Sequence, residues 1–280
     1  MVASALSFSL MSLCVKKVGA HIPAAEVVLA RSVLSVALSW WLLKRAGVTP
    51  WGTRKGLLIG RGVLGSGALL CVYSALASLP LASATVFQYL YPTFTALLAW
   101  LGLGEKLGKR VLVAMALGWL GVLLVAQPAA IFGGGLTLPS GAVAIAIAGA
   151  VLTSLAYVSV RSLAPSEHPL VVVFYFPLVA LPLSLPLVWL HPVLPTGQEW
   201  LWLGGVGLFT QIGQVYLTRG LMALPAARAT AISYSQVLFA GLWGWFVFGE
   251  SMNPWTLAGA VLVLAATWIS LSSPKPAGGR

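Results

Sequence analysis

The sequence predicts an all-α membrane protein, with ten transmembrane helices built as two inverted five-helix repeats. Three observations carry that prediction. Of 280 residues, 59% are hydrophobic and only 8% are charged, against about 25% charged in a soluble chain. Such a chain cannot coat a water-facing surface of ordinary size. Its apolar residues fall into ten runs, most of them near the ~20 residues that cross a hydrocarbon core. The sequence also matches itself, without gaps, at a shift of 145 residues.

The spans are read in order as 1–15, 25–43, 56–78, 81–103, 111–126, 139–160, 169–190, 200–218, 229–248 and 255–271. Short connections holding Pro or Gly separate many of them: Pro50-Trp51-Gly52, Leu79-Pro80, Gly133-Gly134-Gly135 and Pro195-Thr196-Gly197. Ser273-Pro274-Lys275-Pro276 ends the last helix. The runs are continuously apolar rather than alternating, which excludes a β-barrel reading. The first span is short. It is no signal peptide, because it lacks a charged leader and Lys16-Lys17 follow the apolar run. A start displaced downstream, or a shortened chain, is the expectation there. Trp residues 40, 41, 51, 189, 200, 202 and 255 lie at span ends, as an interfacial aromatic belt would.

Sixteen Lys and Arg face five Glu and no Asp. With the N-terminus inside, Lys44, Arg45, Arg54, Lys55, Lys106, Lys109, Arg110, Arg161, Arg219, Arg228, Lys275 and Arg280 fall on the inner side, and only Lys16 and Lys17 on the outer. That bias sets the topology, with both termini cytoplasmic. It also explains the +11 net charge without a nucleic-acid partner. Paired aspartates are excluded outright. His21, His168 and His191 lie in connections, and Cys14 and Cys71 are too far apart in sequence for a redox pair or a metal set. No enzyme chemistry, metal or cofactor is expected.

The internal match is densest between 79–105 and 224–250, where eleven of 27 positions are identical. They include Leu79/Leu224, Pro80/Pro225, Thr85/Thr230, Tyr89/Tyr234, Gly104/Gly249 and Glu105/Glu250. Chance in so biased a composition gives roughly one match in ten. The same shift pairs Ser9 with Ser154 and Lys16 with Arg161. Each half holds five spans, an odd number, so the second half enters the membrane upside down. Inverted repeats are the architecture of secondary transporters, with the solute site near the midplane between halves. The repeats are placed at 1–127 and 139–272, with 273–280 a cytoplasmic tail.

Leu79-Pro80-Leu81-Ala82-Ser83-Ala84-Thr85 with Pro92 and Gly104-Glu105, mirrored by Leu224-Pro225 through Thr230 with Gly249-Glu250, resemble the EamA family of the drug/metabolite transporter superfamily. Phe8 to Lys16, Glu26 and Arg31 resemble the start of such transporters, and Tyr157 to Arg161 with Val173-Phe174-Tyr175-Phe176 the matching start of the second half. The resemblance covers almost the whole chain. It implies the EamA fold and carrier-mediated transport. Where the first half has Pro92 the second has Val237, so the halves are expected to differ at that bend.

A charge at the centre of a span costs ~2.5–3.5 kcal/mol on the more lenient scale. Arg31 therefore faces a cavity or a partner, or snorkels outward. Arg61, nearer its span's inner end, is expected to snorkel. Glu105 and Glu250 read as cap or loop groups. Polar residues share faces on repeat-equivalent helices: Ser9, Ser12 and Lys16; Ser154, Tyr157 and Arg161; Gln211, Gln214 and Thr218; Thr85, Tyr89 and Pro92; Thr230 and Tyr234. They line a central cavity or bond between helices. The solute-binding candidates are Arg31, Ser12, Tyr73, Gln88, Tyr89, Pro92, Tyr157, Gln211, Gln214 and Tyr234. Gly60-Arg61-Gly62-Val63-Leu64-Gly65 fits a dinucleotide fingerprint, but it lies inside an apolar span and no acidic residue follows it until Glu105. It is expected to serve close helix packing, as is Gly204-Gly205 with Gly207.

The function expected is movement of a small polar metabolite (an amino acid, an amine or a related organic solute) across the cytoplasmic, or inner, membrane by alternating access. Arg31 tilts that expectation toward a carboxylate. The alternatives are a flippase for lipid or lipid-linked substrates, with a lateral groove in place of a central cavity, or a membrane protein with no transport role. Spans five and ten carry few polar groups and are expected at the periphery or at a homodimer contact.

Overall fold

Proline, glycine and hydroxyl placement decide where the helices start, stop and break. The computed structural model describes residues 1–18, 22–79, 81–126, 138–190, 193–249 and 254–272. The first half contributes α1 (Val2–Val18), α2 (Ala24–Arg45), α3 (Lys55–Ser78), α4 (Leu81–Gln88), α5 (Tyr91–Leu103) and α6 (Lys109–Ala126). The second contributes α7 (Ser140–Leu163), α8 (Pro169–Leu190), α9 (Gly197–Ala223), α10 (Ala226–Ile232), α11 (Ser235–Phe248) and α12 (Pro254–Ser272). Spans four and nine are thus each broken in two, giving ten membrane crossings from these twelve helices. Seven spans are long and apolar enough to cross a membrane by composition; α1, α6 and α9 are placed by the helices they pack on.

The two breaks occupy equivalent positions. In the first half Pro92 sits in the opening turn of α5, where its missing N–H and its ring forbid a continuous helix. The second half breaks as well, although Val237 stands there. Ser235 turns its hydroxyl onto the carbonyl of Ile232 (2.8 Å), and tight i to i+3 bonds run from the Tyr234 N–H to Ala231 and from the Gln236 N–H to Ser233. The expected inequivalence of the halves is therefore corrected: the bend is shared and only its cause differs. Both spans then end alike. Gly104 and Gly249 take left-handed φ values of 65° and 64°, a conformation that favours glycine. Leu79 and Leu224, each before a proline, are both extended.

Packing repeats with the same symmetry. α3 lies along α7 as α1 lies along α9; α3 meets α8 as α9 meets α2; α5 meets α7 as α11 meets α1. Two repeat-mate pairs, α2 with α8 and α6 with α12, pack directly on each other and so flank the pseudo-two-fold axis. The repeat mates Ser9 and Ser154 tie equivalent helices. The Ser154 hydroxyl donates to the Tyr91 carbonyl (3.0 Å) and the Trp243 indole N–H donates to the Ser9 oxygen (3.0 Å).

Close approach needs small residues. A Cβ on Gly62 would meet Val179 of α8, and one on Gly65 would meet Phe176. The dinucleotide look-alike therefore serves helix packing at two of its three glycines, since Gly60 has open space beside it. Gly121 and Gly259 bring α6 and α12 into backbone contact. The opposite faces of those helices, with Leu120, Val261, Leu264 and Trp268, remain exposed, which puts spans five and ten at the rim of the bundle.

Candidate functional site

In an inverted repeat, two residues related by the repeat can touch only near the axis that relates the halves. A shift of 145 carries Arg31 onto Phe176 and Tyr89 onto Tyr234. Both pairs touch. The Arg31 guanidinium lies 5.5 Å from the centroid of the Phe176 ring, and the Tyr89 and Tyr234 rings stack with centroids 5.9 Å apart and planes 24° apart. These contacts mark the centre of the molecule, between halves, where such transporters hold their solutes. Arg31, 6% exposed, does not snorkel.

Arg61 joins it. Its guanidinium lies 4.4 Å from the centroid of the same Phe176 ring, and the residue is 2% exposed. This corrects the expected snorkelling. Snorkelling needs a side chain that faces lipid, whereas Arg61 points from α3 into α8. Gly65, one turn on, leaves room there for both Arg61 Nη1 and the Phe176 ring. Arg61 donates one long hydrogen bond, from Nη2 to Gln214 Oε1 (3.5 Å). Its Nε and Nη1 are buried without a partner, although a buried guanidinium ordinarily has its donors filled.

One turn along α9 from Gln214, Gln211 donates from Nε2 to Ser39 of α2 (2.8 Å) while its Oε1 is unpartnered. The hydroxyls of Ser35, Thr210 and Thr218 are likewise buried and unpartnered. Beyond Arg61, and within its electrostatic reach, stands Tyr157. Its ring meets Tyr91 edge to face (5.4 Å), and Tyr91 meets Tyr89 (6.0 Å). Gly118 gives the Tyr234 ring its place against α6.

Of the candidates read from sequence, the structure places Arg31, Tyr89 and Tyr234 at the axis and links Gln214 to them through Arg61 and Tyr157 through Tyr91, with Gln211 one turn from Gln214 and Pro92 buried at the helix break. Gln88, the last residue of α4, is half-buried and precedes Tyr89. Ser12 is not brought in; it is exposed, with its hydroxyl turned back on the Phe8 carbonyl (2.9 Å). The side chain of Tyr73 lies outside the described residues, as do His21, Pro80, His191 and Glu250. Sequence reasoning missed Arg61 and Phe176. The signal for Arg61 was Gly65 at i+4, which marks the face of α3 that a neighbour covers.

The two ends of the bundle are closed differently. At the end that holds Met1, Arg161 donates from Nε to Glu105 (2.7 Å) and from Nη1 to the Met222 carbonyl (2.7 Å). Glu105 also accepts the first N–H of α10, from Ala226 (2.7 Å). Glu105 is therefore a cap group, as expected, and an ion-pair partner too. Nearby, Glu167 accepts from the Thr53 N–H (2.7 Å), the Thr53 hydroxyl (2.7 Å) and the Arg54 N–H (2.5 Å). Burial pushes the Glu167 carboxyl up, but these donors outweigh it and hold it below the usual carboxylate range. At the other end Lys16 and Lys17 lie over the Phe248 ring, at 4.1 and 5.1 Å, and Glu26 accepts from the Val193 N–H. Among the described residues no three His, Cys, Asp or Glu side chains gather as a metal would require.

Comparison with known proteins agrees with this architecture. The chain matches the EamA-like transporter family over residues 1–127 and 140–272. It is 33% identical to a pseudopaline exporter, CntI, of Pseudomonas aeruginosa, covering 98% of this chain and 95% of that one. It is 29% identical to the human solute carrier family 35 member G1, covering 94% and 75% respectively. A crystal structure 20% identical in sequence superposes with a TM-score of 0.86 over 97% of this chain and 96% of that one, which speaks for the fold alone.

Proposed function

Because the chain belongs to the EamA-like transporter family, and so is a secondary transporter of a small molecule across the membrane it spans, we propose that its solute is a small polar metabolite bearing a carboxylate, such as an amino acid or a related organic acid. Arg31 holds that carboxylate. The observation that carries this reading is the contact of Arg31 with its repeat mate Phe176. It supports a charge held on the axis between halves, where only a solute or a fixed partner group would make use of it. Tyr89, Tyr157, Gln211, Gln214 and Tyr234 supply the phenols and amides that orient the rest of the solute. The similarity to an exporter supports outward movement, and the excess of Lys and Arg on the Met1 end supports that end as cytoplasmic, at the inner membrane. Alternating access then requires the Arg161–Glu105 pair to part as the Met1 end opens, while the axis residues keep the solute.

The test is a thermal-stability screen of purified protein against amino acids, organic acids, amines and lipids, with Arg31→Ala beside the wild type, followed by uptake of the hit into vesicles. A solute that binds only the folded state raises the melting temperature according to its concentration relative to its Kd. Carboxylated solutes should raise it in the wild type and not in the variant. A response to amines or lipids alone, or one untouched by Arg31→Ala, sinks the reading.

A further inference from the structure

Two guanidinium groups share one aromatic ring at the axis, which is one more than a single carboxylate requires. A planar guanidinium engages a carboxylate through two parallel hydrogen bonds. One carboxylate answered by Arg31 in that way keeps only its outer lone pairs, one on each oxygen, and these do not match a second fork closing on both oxygens at once. Arg61 is nonetheless held in the same place, on α3 rather than α2, with two of its three nitrogens buried and unpartnered.

Four carboxylates lie among the described residues, and none answers those nitrogens. Glu26 accepts from Val193, Glu105 from Arg161 and Ala226, Glu167 from Thr53 and Arg54, and Glu199 caps α9 within the Thr196 box. An arginine stays protonated at any ordinary pH, so Arg61 cannot escape its burial by losing charge. The face of the Phe176 ring steadies both cations through its quadrupole, but it gives them no hydrogen bonds. Gly65 keeps the space between that ring and Arg61 Nη1 free of a side chain.

We propose that Arg31 and Arg61 form one two-point anion site across Phe176, and that the transported solute carries two acidic groups, one for each guanidinium. This rests on the reading above that Arg31 binds a carboxylate, and adds the second charge. Arg31 takes one acid group from α2. Arg61 takes the other from α3, with Gln214 holding its Nη2 in place. The guanidinium groups come from different helices and, each lying on the Phe176 ring, are no more than ~10 Å apart, so the two acid groups belong to one small solute, and an anion between the arginines would offset their mutual repulsion.

The test uses the full-length protein in detergent, with paired probes of matched carbon number: the dicarboxylates malonate, succinate, glutarate and adipate against propionate, butyrate, valerate and hexanoate. Apparent Kd values are read from the concentration dependence of the melting temperature. In the wild type the best dicarboxylate should bind roughly tenfold or more tightly than its monocarboxylate partner, the worth of one added charge-assisted contact. Arg61→Gln should erase that preference and leave monocarboxylate binding in place, whereas Arg31→Gln should lose both. Arg61→Lys keeps the charge without the fork and should restore part of the preference. It also serves as the second variant if the glutamine form does not purify. A preference for dicarboxylates that survives Arg61→Gln, or equal binding of both series in the wild type, overturns the two-point site while leaving carboxylate transport intact. Absence of binding by either series overturns the carboxylate reading itself.

Discussion

Arg161 and Arg61 stand on helices that pack along each other, α7 and α3, and they are treated in opposite ways. Arg161, near the Met1 end, has a carboxylate at 2.7 Å and a backbone carbonyl at 2.7 Å. Arg61, at the centre, has a single hydrogen bond of 3.5 Å and two unpartnered nitrogens. The end of the bundle answers the charge of Arg161, whereas two nitrogens of Arg61 go unanswered by the chain. A charge answered within the chain fixes a conformation. A charge left unanswered in a low-dielectric interior is costly to the fold and is explained by something that is not part of the chain.

The sharpest way to break this comparison is to measure stability, not transport. Glu105→Gln strips Arg161 of its counter-charge and weakens the cap on α10. Its expected cost is about 1.5–3 kcal/mol, seen as a lower melting temperature without solute. Arg61→Gln removes a charge that nothing in the chain pairs, so the solute-free melting temperature should hold or rise. If the two variants lose stability equally, the distinction between end and middle fails.

A second variant at the packed centre gives a smaller effect. Gly118→Ala puts a methyl group where the Tyr234 ring lies, and overpacking of this kind costs typically ~1–3 kcal/mol. The stack with Tyr89 should loosen, lowering the melting temperature and weakening solute affinity together. A melting temperature that falls while affinity is untouched would detach the tyrosine pair from the site.

The smallest expected effect is a pH dependence at the Met1 end. Glu167 is held below its ordinary pKa of 4.5 when folded, so it stabilises the fold fully above that value. The stabilisation is lost as pH falls through the folded pKa. A melting curve series should therefore be flat from neutral pH down to the ordinary carboxylate range and decline below it. Glu167→Gln should flatten that decline, and a decline that persists in the variant assigns it to another carboxylate.

The spans and the doubling were legible because each leaves a strong local trace. An apolar run is visible by itself, and Tyr89/Tyr234 or Gly104/Gly249 appear as identities at one shift. The centre was less legible for a related reason. Arg31 and Phe176 are repeat mates of unlike chemistry, so a search for identities passes over them. Arg61 lies near the inner end of its span, and distance from a span end says nothing of the direction in which the side chain points. The break before α11 carries no proline; it rests on a serine hydroxyl and on short-range bonds that many sequences form without breaking. The closure at Arg161 joins residues from α7, the end of α5 and the start of α10, and only the assembled fold brings them together.

The contact between Arg31 and Phe176 bears on how such a chain arose. Were the two halves separate identical subunits inserted in opposite directions, whatever side chain occupied this position would meet its own copy on the axis. Arginine would face arginine, or phenylalanine would face phenylalanine. Neither gives a cation seated on an aromatic ring. That arrangement becomes available only once the two halves differ at the same position, so divergence of the halves is itself a precondition for the asymmetric centre of this transporter.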